Sequence, residues 1–256
     1  MSGAPIARAV AALTGDGPPR VWSLIVTFFG DLAQGPGAEV PGPVLSRVMG
    51  AADIRPEAMR VALHRLKRDG WIDSAKRGRT VDYSLTARGR AESAAASPRI
   101  YGRAEPAPWR LFNAAQGEAA ALDPLLAGGS HVALAPGLVA GPMPGGAVPE
   151  GIFVSQPGAV PGWAQRAVCP EALVAAAAAL VQTLEEVARD VEAPGPLERA
   201  VLRVLIVHRW RRIVLRLPDA PEAFLPEDWR ALGCAARVAE VLDALPRPEI
   251  AEIGGG

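Results

Sequence analysis

Pro56-Glu-Ala-Met-Arg-Val-Ala-Leu-His-Arg-Leu-Lys-Arg-Asp69 reads as a helix by each local signal, and its flanks decide the fold. Pro56 stands at the first helical position, where a missing N–H costs nothing, and Glu57 favours the positive end of the helix dipole. Met59, Ala62, Leu63 and Leu66 recur at helical spacing on one face, which leaves Arg60, His64, Arg65, Lys67 and Arg68 on the outer side. Gly70 ends the helix. Downstream, Trp71-Ile-Asp-Ser74 and Val81-Asp-Tyr-Ser-Leu85 predict two short strands around the loop Ala75-Lys-Arg-Gly-Arg-Thr80, which holds three cations and a glycine. Upstream, Pro43-Val-Leu-Ser-Arg-Val-Met-Gly50 predicts a two-turn helix stopped by Gly50. Val21 to Ala33 is apolar enough for a buried helix or a buried strand, and its length favours helix. Helix, helix, basic helix and basic hairpin make the pattern of a winged helix-turn-helix.

Charge supports that pattern. The 256 residues carry 27 cations and 27 acids, so the net charge says nothing about partners, yet residues 55–79 hold eight cations against three carboxylates. This basic island on an otherwise acidic chain suits nucleic acid. The third helix can enter a major groove while the hairpin tip reaches neighbouring phosphates. Arg60 and His64 are one turn apart and are the expected base readers. Lys76, Arg77 and Arg79 are the expected phosphate clamps, with Arg55, Arg65, Lys67 and Arg68 completing the candidate DNA surface. The bland readings are a solvated basic helix face and a protein-interaction module.

The same stretches carry a resemblance. Ser23-Leu-Ile-Val-Thr-Phe-Phe-Gly-Asp31, Met59 to Ile72, and Tyr83-Ser-Leu-Thr-Ala-Arg-Gly89 are similar to the N-terminal domain of the PaaX-type repressors of phenylacetate degradation. Arg203-Val-Leu-Ile-Val-His-Arg-Trp-Arg-Arg-Ile-Val-Leu-Arg216, followed by Pro218, Pro221, Leu225-Pro226 and Asp228-Trp229, resembles the C-terminal domain of that family. The resemblance implies a homodimeric repressor of an aromatic-acid operon, released from double-stranded operator DNA by an aryl-CoA, phenylacetyl-CoA being the family inducer. It also implies a ferredoxin-like middle domain similar to that of CRISPR adaptation nucleases. Two departures stand out: Ala, Gly and Val replace expected aromatics around 132–142, and Leu217 stands where the family usually has Asp.

Between the two matched regions, residues 91–108 form an Ala/Ser/Pro-rich connector expected to act as a hinge. Trp109–Ala115 predicts a strand, Gly117–Leu126 an amphipathic helix and His131–Ala135 a strand. Residues 136–162 contain 13 Gly or Pro, with one strand-like run at Gly151–Ser155. Ala172–Asp190 predicts a long Ala-rich helix. Leu202, Leu205, Ile206, Ile213 and Val214 form the apolar side of a helix, while Arg209, Arg212 and Arg216 either pair with acids such as Asp219, Glu222 or Asp228, or hold the phosphates of a CoA thioester. Trp210 and Trp229 are either core or the lining of an aryl pocket.

Enzyme signatures are absent from the sequence. A phosphodiesterase on the middle domain would need a carboxylate at the end of its first strand, where Asn113, Ala114 and Ala115 stand instead. No phosphate-binding G-x-x-x-x-G-K or nucleophile elbow occurs, and three isolated histidines and Cys169 and Cys234 form no metal pattern. No catalytic residue, metal or cofactor is expected. The longest apolar stretch, Ala172–Val181, is about half a membrane span, and the opening residues carry no export signal, so a cytoplasmic protein is expected. The expected architecture is mostly α with α+β parts: winged-helix DNA-binding domain at 20–90, linker at 91–108, ferredoxin-like α+β middle domain at 109–165, and a helical C-terminal effector and dimerisation domain at 166–246. The rival functions are a winged-helix regulator with another effector or none, and a nucleic-acid-processing enzyme.

Overall fold

Helices dominate the computed structural model, which describes residues 3–15, 20–102 and 105–255. The first elements are α1 (Gly3–Thr14), α2 (Val21–Leu32), the short β1 (Val40–Pro41), α3 (Gly42–Ala51), α4 (Pro56–Arg68), the hairpin strands β2 (Ile72–Arg77) and β3 (Thr80–Leu85), and α5 (Ala87–Ile100). Then come β4 (Trp109–Asn113), a 3-10 turn at Ala119–Leu122 leading into α6 (Asp123–Ala127), β5 (Val132–Ala135), β6 (Leu138–Pro142) and β7 (Phe153–Ser155). The chain ends in α7 (Gly162–Val168), α8 (Glu171–Asp190), α9 (Pro196–Val214), α10 (Glu227–Leu232), α11 (Cys234–Ala244) and α12 (Ile250–Gly254).

These elements gather into two compact units that interleave along the chain. One takes Met1–Gly102, Leu180–Arg212 and Ala235–Gly256; the other takes Arg103–Ala179 and Ile213–Cys234. The stretch 166–246, expected as one helical domain, divides between both units. Residues 91–100, expected as part of a connector acting as a hinge, are instead the last ten of the 14 residues of α5. Thr86 explains the start of that helix: its Oγ1 accepts from the Gly89 N–H at 2.9 Å and donates to the Gly70 carbonyl at 2.7 Å. Residues 103–104 of the connector lie outside the described residues.

The first unit is held from within by α9. Residues Ala200 to Val207 are buried all round, including Arg203, and His208 and Trp210 are buried as well. A helix without a polar face belongs in the middle of a core, and its charges then need partners. Arg203 finds Asp31, at the end of α2, whose carboxylate accepts from Arg203 Nε and Nη2 at 2.9 Å each, from the Tyr101 hydroxyl at 2.8 Å and from Arg247 Nε at 3.1 Å. Arg203 Nη1 also donates to the carbonyls of Leu242 and Leu245 at the end of α11. Leu24, Ile25, Phe28 and Phe29 of α2 are fully buried around this network, each contributing about 1.5–3 kcal/mol of apolar burial.

The second unit is built on an antiparallel sheet in the order β5-β6-β4-β7. Both faces are covered: Phe112 and Val139 pack with Leu122 and Leu125, while Trp109 and Ala140 pack with Val168, Ala220 and Phe224. The strand β6 forms where Gly/Pro-rich composition predicts a loop; its apolar run faces core on both sides and shows no alternation. Gly141 is required there, since a Cβ would sit 2.3 Å from the His131 ring. The helix expected at Gly117–Leu126 is broken into the 3-10 turn and α6, with Pro124 in the first turn of α6.

Candidate nucleic-acid interface

The cationic helix is placed by its two ends. The connection between α3 and α4 is Ala52 to Arg55, and it turns on Asp53, whose φ of 60° puts it in the left-handed region. The Ile54 N–H returns to the Met49 carbonyl and that of Asp53 to Gly50, the bonding of a Schellman cap. Asp53, not Gly50, therefore stops α3; Gly50 lies inside the helix. At its other end α4 closes the same way on Gly70, with Trp71 N–H to Leu66 and Gly70 N–H to Lys67. The chain must turn sharply there, and α5 then approaches so closely that a Cβ on Gly89 would lie 2.2 Å from the Trp71 carbonyl oxygen.

On α4, Met59, Ala62, Leu63 and Leu66 are buried and the five residues expected on the outer side are exposed. Their engagements differ. Arg60 meets Glu57 at 2.9 Å with both side chains about 70% exposed, a pairing that contributes little and is readily exchanged for another anion. The Glu57 carboxyl is held low first by its own backbone amide and then by Arg60. Arg65 is a positioning residue, bonded to Asp69 at 3.3 Å and lying over the Trp22 ring of α2 at 5.1 Å. Lys67 donates to Ser74 Oγ at 2.6 Å, joining α4 to β2, and Arg68 pairs with Asp69. His64 is exposed and makes no hydrogen bond or ion pair among the described residues.

The hairpin projects beyond the core. β2 and β3 pair from Ile72↔Leu85 to Arg77↔Thr80, and Lys76 to Val81 are exposed on both faces. The connection is Gly78-Arg79, tighter than the six-residue loop expected, with Gly78 at φ 60° where a two-residue hairpin turn takes glycine. Arg77 is tied back, bonding Glu39 at 2.9 Å and reaching Asp82 at 3.8 Å. Lys76 and Arg79 at the tip are exposed and unpaired among the described residues. The structure thus brings all nine expected residues, Arg55, Arg60, His64, Arg65, Lys67, Arg68, Lys76, Arg77 and Arg79, to the surface of one unit. Arg65, Lys67 and Arg77 are also tied to neighbouring elements, through Trp22, Ser74 and Glu39.

The five C-terminal candidates fare differently. Arg209 Nη1 donates to the Ala12 carbonyl and to Thr183 Oγ1, both at 3.1 Å. Trp210 is 2% exposed, with its indole N–H spent on the Ile100 carbonyl at 2.8 Å. Trp210 is part of the first unit's core, and Arg209, half-buried, is tied to α1 and α8. Arg212 and Arg216 are exposed, and Trp229 is half-buried beside Cys169, Leu173 and Leu217. The acids expected to pair with these arginines are engaged elsewhere: Asp228 bonds Arg166 at 2.5 Å and Glu222 meets Arg230 at 3.8 Å. Asp228 is thus held from another element, by Arg166 of α7, and Glu222 by Arg230, its neighbour on the other side in sequence. Trp22, beneath Arg65, and Thr86, which caps α5 and bonds the Gly70 carbonyl, carried no local signal of those roles.

Among the described residues, no group of three or more His, Cys, Asp or Glu is arranged to hold a metal ion, and no single helix is long and apolar enough to cross a membrane.

A cationic helix and hairpin raised on a helical body define a class: proteins that present a charged surface to a large partner. The comparisons agree with that class. Residues 20–89 match the model of the PaaX-like protein family, and residues 170–245 match that of the PaaX-like protein C-terminal domain. The chain is 29% identical over 240 residues to the transcriptional repressor PaaX of Escherichia coli strain K12, covering 81% of this chain and 74% of that protein. This chain belongs to the PaaX-like family, and with it to the regulators rather than the enzymes.

Proposed function

We propose that the chain is a homodimeric transcriptional repressor that binds the operator of a phenylacetate-type catabolic operon and is released by an aryl-CoA such as phenylacetyl-CoA. The observation that carries the DNA reading is the surface of α4 and the β2–β3 tip: α3, the Asp53 turn and α4 are a helix-turn-helix, and the hairpin is its wing. Arg60 and His64 read bases from α4, while Arg55, Arg68, Lys76 and Arg79 meet phosphates. The order β5-β6-β4-β7 is that of a ferredoxin-like sheet, with a loop at 143–152 in place of the second crossover helix, and it supports a scaffold role for the second unit.

The effector arm rests on the family and on accessible chemistry. Arg216 offers a guanidinium group to phosphates, and Trp229, of the same unit, offers an aromatic face. The first unit also has a cleft of about 830 Å³ with Ile6 and Val10 of α1 on one side and Arg47 and Asp53 on the other, a size suited to a small ligand. To release DNA, the ligand must bind the DNA-free arrangement more tightly, because only differential affinity shifts an equilibrium.

Fluorescence anisotropy on DNA from upstream of the protein's own coding region tests both arms, with phenylacetyl-CoA, free CoA and phenylacetate added in turn. Specific binding abolished by the thioester alone supports the whole reading. Binding that ignores all three removes the effector arm, and absence of specific binding removes the repressor. Arg216→Ala and a cleft-filling Val10→Trp then separate the two effector locations.

A further inference from the structure

Val61 is 71% exposed, the most exposed large apolar side chain among the described residues. It sits in the middle of a cationic helix. A β-branched residue there lowers helix propensity slightly and gains nothing from burial within the chain. At about 100° per residue, Glu57, Val61, His64 and Arg68 form one stripe along α4, opposite the buried Met59, Leu63 and Leu66. Arg60 and Lys67 fall on one flank and Arg65 on the other, against Trp22. Val61 and His64 therefore form the crest of α4, the part that meets the floor of a groove first.

We propose that Val61 is a specificity-determining residue that reads thymine through its 5-methyl group; this rests on the DNA-binding reading of α4. An isopropyl group donates and accepts nothing, so phosphates and the polar edges of bases gain nothing from it. The thymine methyl is the apolar group that the base pairs present in the major groove. The surrounding Arg55, Arg60 and Arg68 favour a polyanion over an apolar protein surface as the occupant.

The test uses the full chain. Duplexes are selected from a random-sequence library, and each dT in the selected site is replaced singly by dU, which lacks only the methyl. At one dT per half-site, the replacement should weaken binding about four-fold, the effect of one methyl group removed from an apolar contact. Val61→Ala, which changes both subunits of the homodimer, should bind the original site about as weakly as the native protein binds a site with dU in both half-sites, a loss of roughly sixteen-fold, and should ignore the replacement, so that the cycle closes on that pair. The variant should unfold at or slightly above the native urea midpoint, because the position is exposed and Ala is the better helix former. If no dT distinguishes the native protein from Val61→Ala, the inference is overturned while the DNA reading stands. If no duplex is selected, both fall.

Discussion

Replacing Asp31 by Ala tests whether α2 and α9 are locked together as the structure indicates. The Asp31 side chain is 0% exposed and that of Arg203 4%, and four hydrogen bonds from three residues converge on the carboxylate. Removing it leaves the Arg203 guanidinium buried without a counter-charge and the Tyr101 hydroxyl without its acceptor. Breaking a buried pair from one side costs about 3–5 kcal/mol, a large share of the roughly 5–15 kcal/mol of a folded chain. At about 2–4 °C per kcal/mol, the melting temperature should fall by about 6–20 °C. Urea unfolding followed by circular dichroism measures the loss at constant m-value. The double variant Asp31→Leu/Arg203→Met should recover part of it, since neither charge is then stranded. A loss under about 1 kcal/mol for Asp31→Ala would refute the reasoning, because it is what an exposed pair gives.

Three other outcomes are expected. Burial, and then the charges of Arg211 and Arg212, push His208 down to about 4 from its ordinary value near 6.5; the unfolded chain binds more protons between those values, so stability is whole above pH 6.5 and falls as pH drops towards 4, by about 3 kcal/mol in total. His208→Gln should lack that component when urea stability is measured from pH 4 to 8, and parallel curves would contradict it. Gly89→Ala forces a Cβ to 2.2 Å from the Trp71 oxygen and should cost about 1–3 kcal/mol in thermal melts, whereas Gly50→Ala, with open space around it, should not destabilise. Arg60→Ala should lose about 1–3 kcal/mol on the selected site and relax one base position; an equal loss on specific and non-specific DNA would make Arg60 a phosphate ligand rather than a base reader.

The parts of the fold that were legible are those whose logic is local. Met59 to Leu66 announce the buried face of α4 by spacing alone, and Pro56 and Gly70 mark its ends. Residues 91–100 were harder: Ala and Ser look like a linker, and the signal that they are helical is the Thr86 cap four residues before Arg90. β6 was hidden because a strand covered on both faces has no alternation, and its Gly141 and Pro142 resemble loop residues. The Asp31–Arg203 pair spans 172 positions, so no window of sequence contains it. The interface divided in the same way. Spacing identified which cations face outward, but not that Arg65 rests on Trp22 or that Arg77 is held by Glu39, since both partners come from other elements.

The salt dependence of DNA binding tests the central claim most directly. Anisotropy titrations of the selected duplex across about 50–200 mM salt should give a steep linear fall of log K with log salt. Lys76→Ala/Arg79→Ala removes two cations from each wing of the homodimer and should make that slope shallower by about four units, close to one for each phosphate no longer neutralised, while keeping the same site preference. A double variant with unchanged affinity and unchanged slope would contradict the account, because the wing would then not be on the DNA.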